Sequence, residues 1–128
     1  MTNDSLRDRT AIVVGGSSGI GYAIAKAALE QGARVWIVGR NPAKLERAKA
    51  ELSGKVETAS VDMGDRNTVR EFFDRYEAAS VDHLAITAAT AVQGAFADVE
   101  IDEIETMFAS KFFGPYRVVQ AALPKLRQ

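Results

Sequence analysis

Four glycines and two serines in one short run, Gly15-Gly16-Ser17-Ser18-Gly19-Ile20-Gly21, carry the clearest chemistry in the sequence. The run follows an apolar, β-rich segment and precedes a helical pattern. In that setting Gly15 ends a strand, Gly19 lets the backbone approach a pyrophosphate, and Gly21 lets the next helix sit close to the sheet. The helix start offers unpaired N–H groups to phosphate oxygens, and Ser17 and Ser18 add hydroxyl donors. A glycine-rich turn without a ligand is the plain alternative. The run lacks a Gly-Lys-Ser/Thr ending, which disfavours a mononucleotide P-loop.

Arg40 follows the second apolar run, where the ribose end of a dinucleotide is normally read. A free 2′-hydroxyl is usually held there by an acidic residue, whereas a 2′-phosphate calls for a cation. The planar guanidinium fork suits a phosphate, and no carboxylate adjoins it in sequence, so NADP(H) is favoured over NAD(H). The alternative is a solvated surface arginine.

These groups need a scaffold, and the hydrophobic pattern supplies one. Thr10 to Val14, Arg34 to Val38, Val56 to Val61 and His83 to Thr87 read as strands. Between them, Ile20 to Gln31 reads as a helix with Ile20, Ala23, Ile24, Ala27 and Ala28 facing the sheet, ending before Gly32. The next helix is capped by Asn41, has Pro42 in its first turn and turns Leu45, Ala48 and Leu52 inward. Asp65 caps a third, which buries Val69, Phe72, Phe73 and Tyr76. Strand and helix in alternation, with nearly continuous apolar strands, predict an α/β fold: a Rossmann-like parallel sheet with helices on both faces. From Asp102 to about Leu126 a last helix is expected, with Asp102 and Glu105 as a capping box and a kink at Gly114 and Pro115. It is apolar on more than one side. Ile104, Met107, Phe108, Phe112, Phe113, Val118, Val119 and Leu123 exceed one sheet-facing stripe, so a further subunit is expected against it.

Composition narrows the partners. A chain of 128 residues has room for one domain. Sixteen Lys and Arg nearly balance 17 Asp and Glu, so there is no basic field for nucleic acid or an anionic membrane. With no cysteine and only His83, neither a zinc cluster, a disulfide nor a thiol nucleophile is expected. Met1 to Arg9 lacks the apolar core of a signal peptide, and no run is long enough to span a bilayer; a cytoplasmic protein is the expectation.

The spacing of the glycine loop, with Gly39-Arg40-Asn41, Val61-Asp62-Met63, Asp82-His83-Leu84 and Gln120-Ala121-Ala122-Leu123-Pro124, resembles the short-chain dehydrogenase/reductase family over essentially the whole chain. The resemblance implies sheet order 3-2-1-4, with the cofactor in the crevice between strands 1 and 4. It implies a cofactor site of Gly15, Ser17, Ser18, Gly19, Ile20, Gly21, Arg40, Asn41, Asp62, Met63, Thr87, Ala88 and Ala89. In it Asp62 touches the adenine amino group and Met63 lies beside the ring; by itself Asp62 reads equally as a turn residue.

Several positions depart from the family pattern. Ile86-Thr87-Ala88-Ala89 replaces Asn-Asn-Ala-Gly, Val14 stands where Thr is usual, and Lys111 takes the place of the Asn of the family's proton relay. Lys111 is thus the one candidate catalytic position, with a solvated surface lysine as its alternative. The family's Ser and Tyr-x-x-x-Lys would lie after Gln128, so the chain is expected to stop short of the catalytic region and to be inactive alone. Tyr22 and Lys26 match Tyr-x-x-x-Lys as text, but lie roughly 200° around the first helix from the expected stripe and are rejected. The strand at Leu84 to Thr87 is expected to present a bare apolar edge.

Two further function classes compete with an oxidoreductase half. One is a non-catalytic nucleotide-binding or inactive relative, supported by Val14, Thr87 and Lys111. The other is a phosphoacceptor signalling domain using Asp62. That class needs carboxylates just after the first strand to hold magnesium, where this chain has Val14 and Gly15.

Overall fold

Branched aliphatic residues at alternate positions make the strands. In β1 (Thr10–Val14), Ala11 and Val13 enter one core cluster, while Ile12 and Val14 enter the other. The period of two therefore serves two buried faces rather than one. The computed structural model describes residues 4–76, 80–88 and 90–127. After β1 come α1 (Gly19–Glu30), β2 (Arg34–Gly39), α2 (Pro42–Glu51), β3 (Val56–Ser60), α3 (Arg66–Arg75) and β4 (His83–Ile86). A longer helical segment follows: α4 (Ile101–Phe108), a π-helical turn (Ala109–Phe113), α5 (Gly114–Ala122) and a 3-10 turn (Leu123–Lys125).

The strands form one sheet in the order β3-β2-β1-β4, with every pairing parallel. This is the expected Rossmann-like order, and its register aligns Val14 with both Val38 and Ile86. The ends of β1, β2 and β4 therefore meet at one level, where the glycine loop begins. Helices α1 and α2 cover one face through Ala25, Ala28, Leu29, Leu45 and Ala48. On the other, α3 and α5 contribute Val69, Phe73, Val118 and Ala122. Ile12, Val13, Val35 and Ile37 are fully buried, and each such side chain stabilises the fold by about 1.5–3 kcal/mol relative to exposure.

Two helix caps fall where the sequence places them. Asn41 Oδ1 accepts from the Lys44 amide at 3.2 Å, and Asp65 Oδ1 accepts from the Asn67 amide at 2.8 Å. The capping box of α4 is shifted: it is formed by Glu100 and Glu103, not Asp102 and Glu105. The expected kink at Gly114 and Pro115 takes the form of a π turn just before them. There the Gly114 amide bonds to the Ala109 carbonyl, five residues back, and Pro115, which has no N–H, sits in the first turn of the new helix.

The face of α1 needs a larger correction. Its buried residues are Gly21, Ala25, Ala28 and Leu29, whereas Ile20 is 74% exposed and Ala23, Ile24 and Ala27 also face outward. The bulky residues suggested one stripe, and close packing at Gly21 selects another. Tyr22 consequently packs against the α1–α2 core cluster rather than pointing away from it, while Lys26 is exposed. In α3, Phe72 is half-buried, and Tyr76 is buried just past the helix end.

The β4 edge is not wholly bare. The Val81 amide donates to the Lys125 carbonyl at 2.7 Å and the Arg127 amide to the Val81 carbonyl at 2.8 Å, so the segment after α5 runs parallel to the approach to β4. Asp82 secures this corner. Its 5%-exposed carboxylate accepts from the Thr10 amide at 2.8 Å and pairs with Arg127 at 3.1 Å and Arg9 at 3.4 Å. Among the described residues no helix is long and apolar enough to cross a membrane.

Candidate dinucleotide site

The glycine loop is shaped by steric necessity. Gly15 has φ +88°, and a Cβ there would stand 2.6 Å from both the Ala88 nitrogen and Thr87 Oγ1. A Cβ on Gly21 would lie 2.1 Å from the Gly15 carbonyl oxygen. Only hydrogen fits at either place, so the first turn of α1 packs on the loop and the loop on the end of β4. Around Gly19, by contrast, nothing lies within 4 Å of the equivalent point. The loop is tight below and open above.

The open side faces the positive end of α1. Ser18, the N-cap, is extended (φ −159°, ψ 165°) and makes no side-chain cap bond, and the first turn contains no acidic residue. The leading amides of α1 thus lack a capping acceptor from the helix's own start, an arrangement that favours an anion. Ile20 extends from this turn into solvent.

Thr87 and Ala88 form the β4 wall. The Thr87 amide donates to the Val14 carbonyl at 2.8 Å; its Oγ1 donates to the same carbonyl at 3.1 Å and approaches the Gly15 carbonyl at 3.4 Å. The hydroxyl therefore holds the loop to the strand. Ala89 lies outside the described residues.

Arg40 is exposed at the end of β2. Its carbonyl accepts from Ser60 Oγ at 3.2 Å, and its guanidinium joins no ion pair among the described residues. The neighbouring Asn41 uses Oδ1 as the α2 cap. Asp62 is exposed and makes a turn, its Oδ1 accepting from the Gly64 amide at 2.8 Å while its own amide donates to Thr68 Oγ1 at 3.1 Å. Met63 is only 7% exposed: its side chain packs in the α3–α5 core cluster, and its carbonyl accepts from Arg117. Lys111 lies exposed in the π turn, next to Ser110, whose Oγ accepts from the Thr90 amide at 2.9 Å.

Folding also brings to the loop residues that the motif reading passed over. A cavity of about 310 Å³ is lined by Ser17, Ser18, Gly19 and Tyr22 on one side and by Lys44, Arg47, Ala48 and Glu51 on the other. The signal was present as basic residues three apart on α2, but nothing local in the sequence says which way that face points.

The family model described as short chain dehydrogenase matches residues 9–128. The chain belongs to the short-chain dehydrogenase family. An uncharacterized oxidoreductase of Staphylococcus epidermidis is 32% identical over 127 residues, covering 94% of this chain and 54% of its own length. The RhlG/NADP active-site complex of Pseudomonas aeruginosa superposes with TM-score 0.85 at 27% identity, covering 98% of this chain and 50% of that one. A 3-oxoacyl (acyl-carrier-protein) reductase of Agrobacterium tumefaciens, solved with NADP bound, gives 0.80 at 31% identity over 94% of this chain and 48% of that one. This short-chain dehydrogenase chain spans about half the length of those relatives.

Proposed function

We propose that the chain forms one NADP(H)-binding domain, and that the whole protein transfers hydride between that cofactor and a carbonyl or alcohol carbon. The observation that carries this reading is the glycine loop, which excludes a side chain at Gly15 and Gly21 yet leaves open space at Gly19 beside an uncapped helix start. Pyrophosphate fits there: the α1 amides and the Ser17 and Ser18 hydroxyls would hold its oxygens. Arg40 would meet the 2′-phosphate, Asp62 the adenine, and the Thr87–Ala88 wall the ribose nearer the reacting ring. Two relatives solved with NADP support the same preference. When bound, the cofactor supplies the hydride chemistry; these residues bind and orient it.

Parallel fluorescence titrations with NADPH and NADH, repeated on Arg40→Ala, test the reading. Tighter binding of NADPH, weakened about tenfold in the variant, is expected from loss of a charge-assisted contact. Failure of the unsubstituted chain to bind either nucleotide would overturn it.

A non-catalytic, nucleotide-binding role is the second reading, favoured by two departures from the family pattern. Thr87, where the family has Asn, is engaged in holding Val14 and Gly15, and Lys111 is exposed where the relay Asn would stand. Turnover by the whole protein separates the two.

The partner we propose, besides the cofactor, is a second copy of the chain. Phe108, Phe112, Phe113, Tyr116 and Leu123 are all more than half exposed, spread from the end of α4 through the π turn and α5 to the start of the 3-10 turn. So continuous an apolar face calls for a cover; the partly paired β4 edge is the alternative contact.

A further inference from the structure

Within the proposed NADP(H) site, we propose that Lys44 and Arg47 on α2 are specificity-determining residues for the 2′-phosphate, acting across the cavity from the glycine loop together with Arg40. This deepens the cofactor reading and rests on it.

Three observations lead there. First, both residues line the same cavity of about 310 Å³ as Ser17, Ser18 and Gly19. Two flexible cations thus face two hydroxyls and the open point of the loop, a donor set suited to a phosphate that can accept from several directions at once.

Second, neither cation is held in an ion pair among the described residues. Among the described residues the only α2 side chain in an ion pair is Lys49, with Glu57 at 3.9 Å. Lys44 and Arg47 are exposed and join no ion pair there, and Asn41 engages only the backbone amide of Lys44. Glu51 lines the far end of the cavity, one turn beyond Arg47. Its charge repels an anion from that end, which places the phosphate toward Lys44, Ser17 and Ser18.

Third, the chain order puts Arg40 four residues before Lys44, across the start of α2. Lys44 lies in the first turn of α2, so the positive helix end reinforces its charge there. The cavity itself carries two positive side chains on its α2 wall and two serines on the loop wall, and Arg40 precedes that wall by the few residues that join β2 to α2. Anionic specificity is distributed between a strand end and a helix face, and the helix-face share leaves no trace in the loop motif.

The deciding experiment titrates the 128-residue chain, and its Lys44→Gln, Arg47→Gln, double and Arg40→Ala variants, with NADPH, NADH and 2′-phosphorylated against unphosphorylated ADP-ribose. Circular dichroism confirms that each variant is folded, and Arg47→Lys serves as the charge-conserving control. The expected result is a tenfold or greater loss of affinity for both 2′-phosphorylated ligands in the double variant. Affinity for NADH and plain ADP-ribose should stay within twofold, and Arg47→Lys should recover most of the loss. If Arg40→Ala abolishes the preference while the double variant retains it, the α2 cations are overturned and the cofactor reading survives. An equal fall for all four ligands also overturns the proposal, because it marks a general electrostatic effect. Absence of any preference in the unsubstituted chain removes both readings together.

Discussion

Thr87 Oγ1 donates to the Val14 carbonyl oxygen at 3.1 Å, tying the end of β4 to the last residue of β1 immediately before the glycine loop. The same carbonyl also accepts the Thr87 amide at 2.8 Å. Thr87→Val therefore removes a hydrogen bond without orphaning its acceptor, and should lower stability by about 1 kcal/mol. Urea unfolding followed by circular dichroism measures this. A larger loss, above about 3 kcal/mol, would mean the hydroxyl supports more than this junction.

Gly21→Ala and Gly19→Ala should behave differently. The first places a methyl 2.1 Å from the Gly15 carbonyl and forces the helix off the loop, whereas the second meets open space and bears only the strain of φ +58°. Overpacking at Gly21 should cost about 2–3 kcal/mol and abolish nucleotide binding, while Gly19→Ala should cost about 1–2 kcal/mol. Equal destabilisation in thermal melts would contradict the close contact between Gly21 and Gly15.

Asp82 gives a signed pH dependence. The Thr10 amide holds its carboxyl below the ordinary carboxylate range, aided by Arg127 and Arg9 and opposed by burial. Because the folded value lies below the unfolded one, the stabilisation is complete above the unfolded value of about 4. It is lost as pH falls through the folded value. Stability should thus be level near neutrality and decline below about pH 4. Asp82→Asn should lose about 2 kcal/mol at pH 7 and show a shallower acid slope. An unchanged slope would remove Asp82 as a source of the acid response.

The exposed aromatic face predicts self-association. Phe112 and Tyr116 are 57% and 63% exposed, with stacked rings 6.4 Å apart. Sedimentation equilibrium should report a concentration-dependent dimer that Phe112→Glu with Tyr116→Glu converts to monomer, because a charge is poorly tolerated in a desolvated contact. A monomer at all concentrations before substitution would exclude the second copy as the cover.

Much of the fold was legible because it follows short-range rules. Asn41 and Asp65 cap where their types predict, and the four apolar runs became the four strands to within a residue at each end. The inward stripe of α1 was not legible. Ile20 and Ile24 carry the hydrophobic weight, yet Gly21 and Ala25 face the sheet, since only the smaller residues permit the close approach at the loop. Likewise, Met63 read as part of a binding motif, but it packs into the core where α5 passes beside it.

By itself the sequence determined the element types and order, the glycine loop and the cation at Arg40, because propensity, capping and periodicity operate within a few residues of chain. Only the tertiary structure decided the rotation of α1, the engagement of Thr87 with Val14, and the meeting of Lys44 and Arg47 with Ser17 and Ser18. Those outcomes depend on how closely backbones distant in sequence can approach. Steric exclusion at Gly15 and Gly21 sets that distance; the glycine motif marks where the close approach falls, but the face of α1 and the partners it selects are settled only in space.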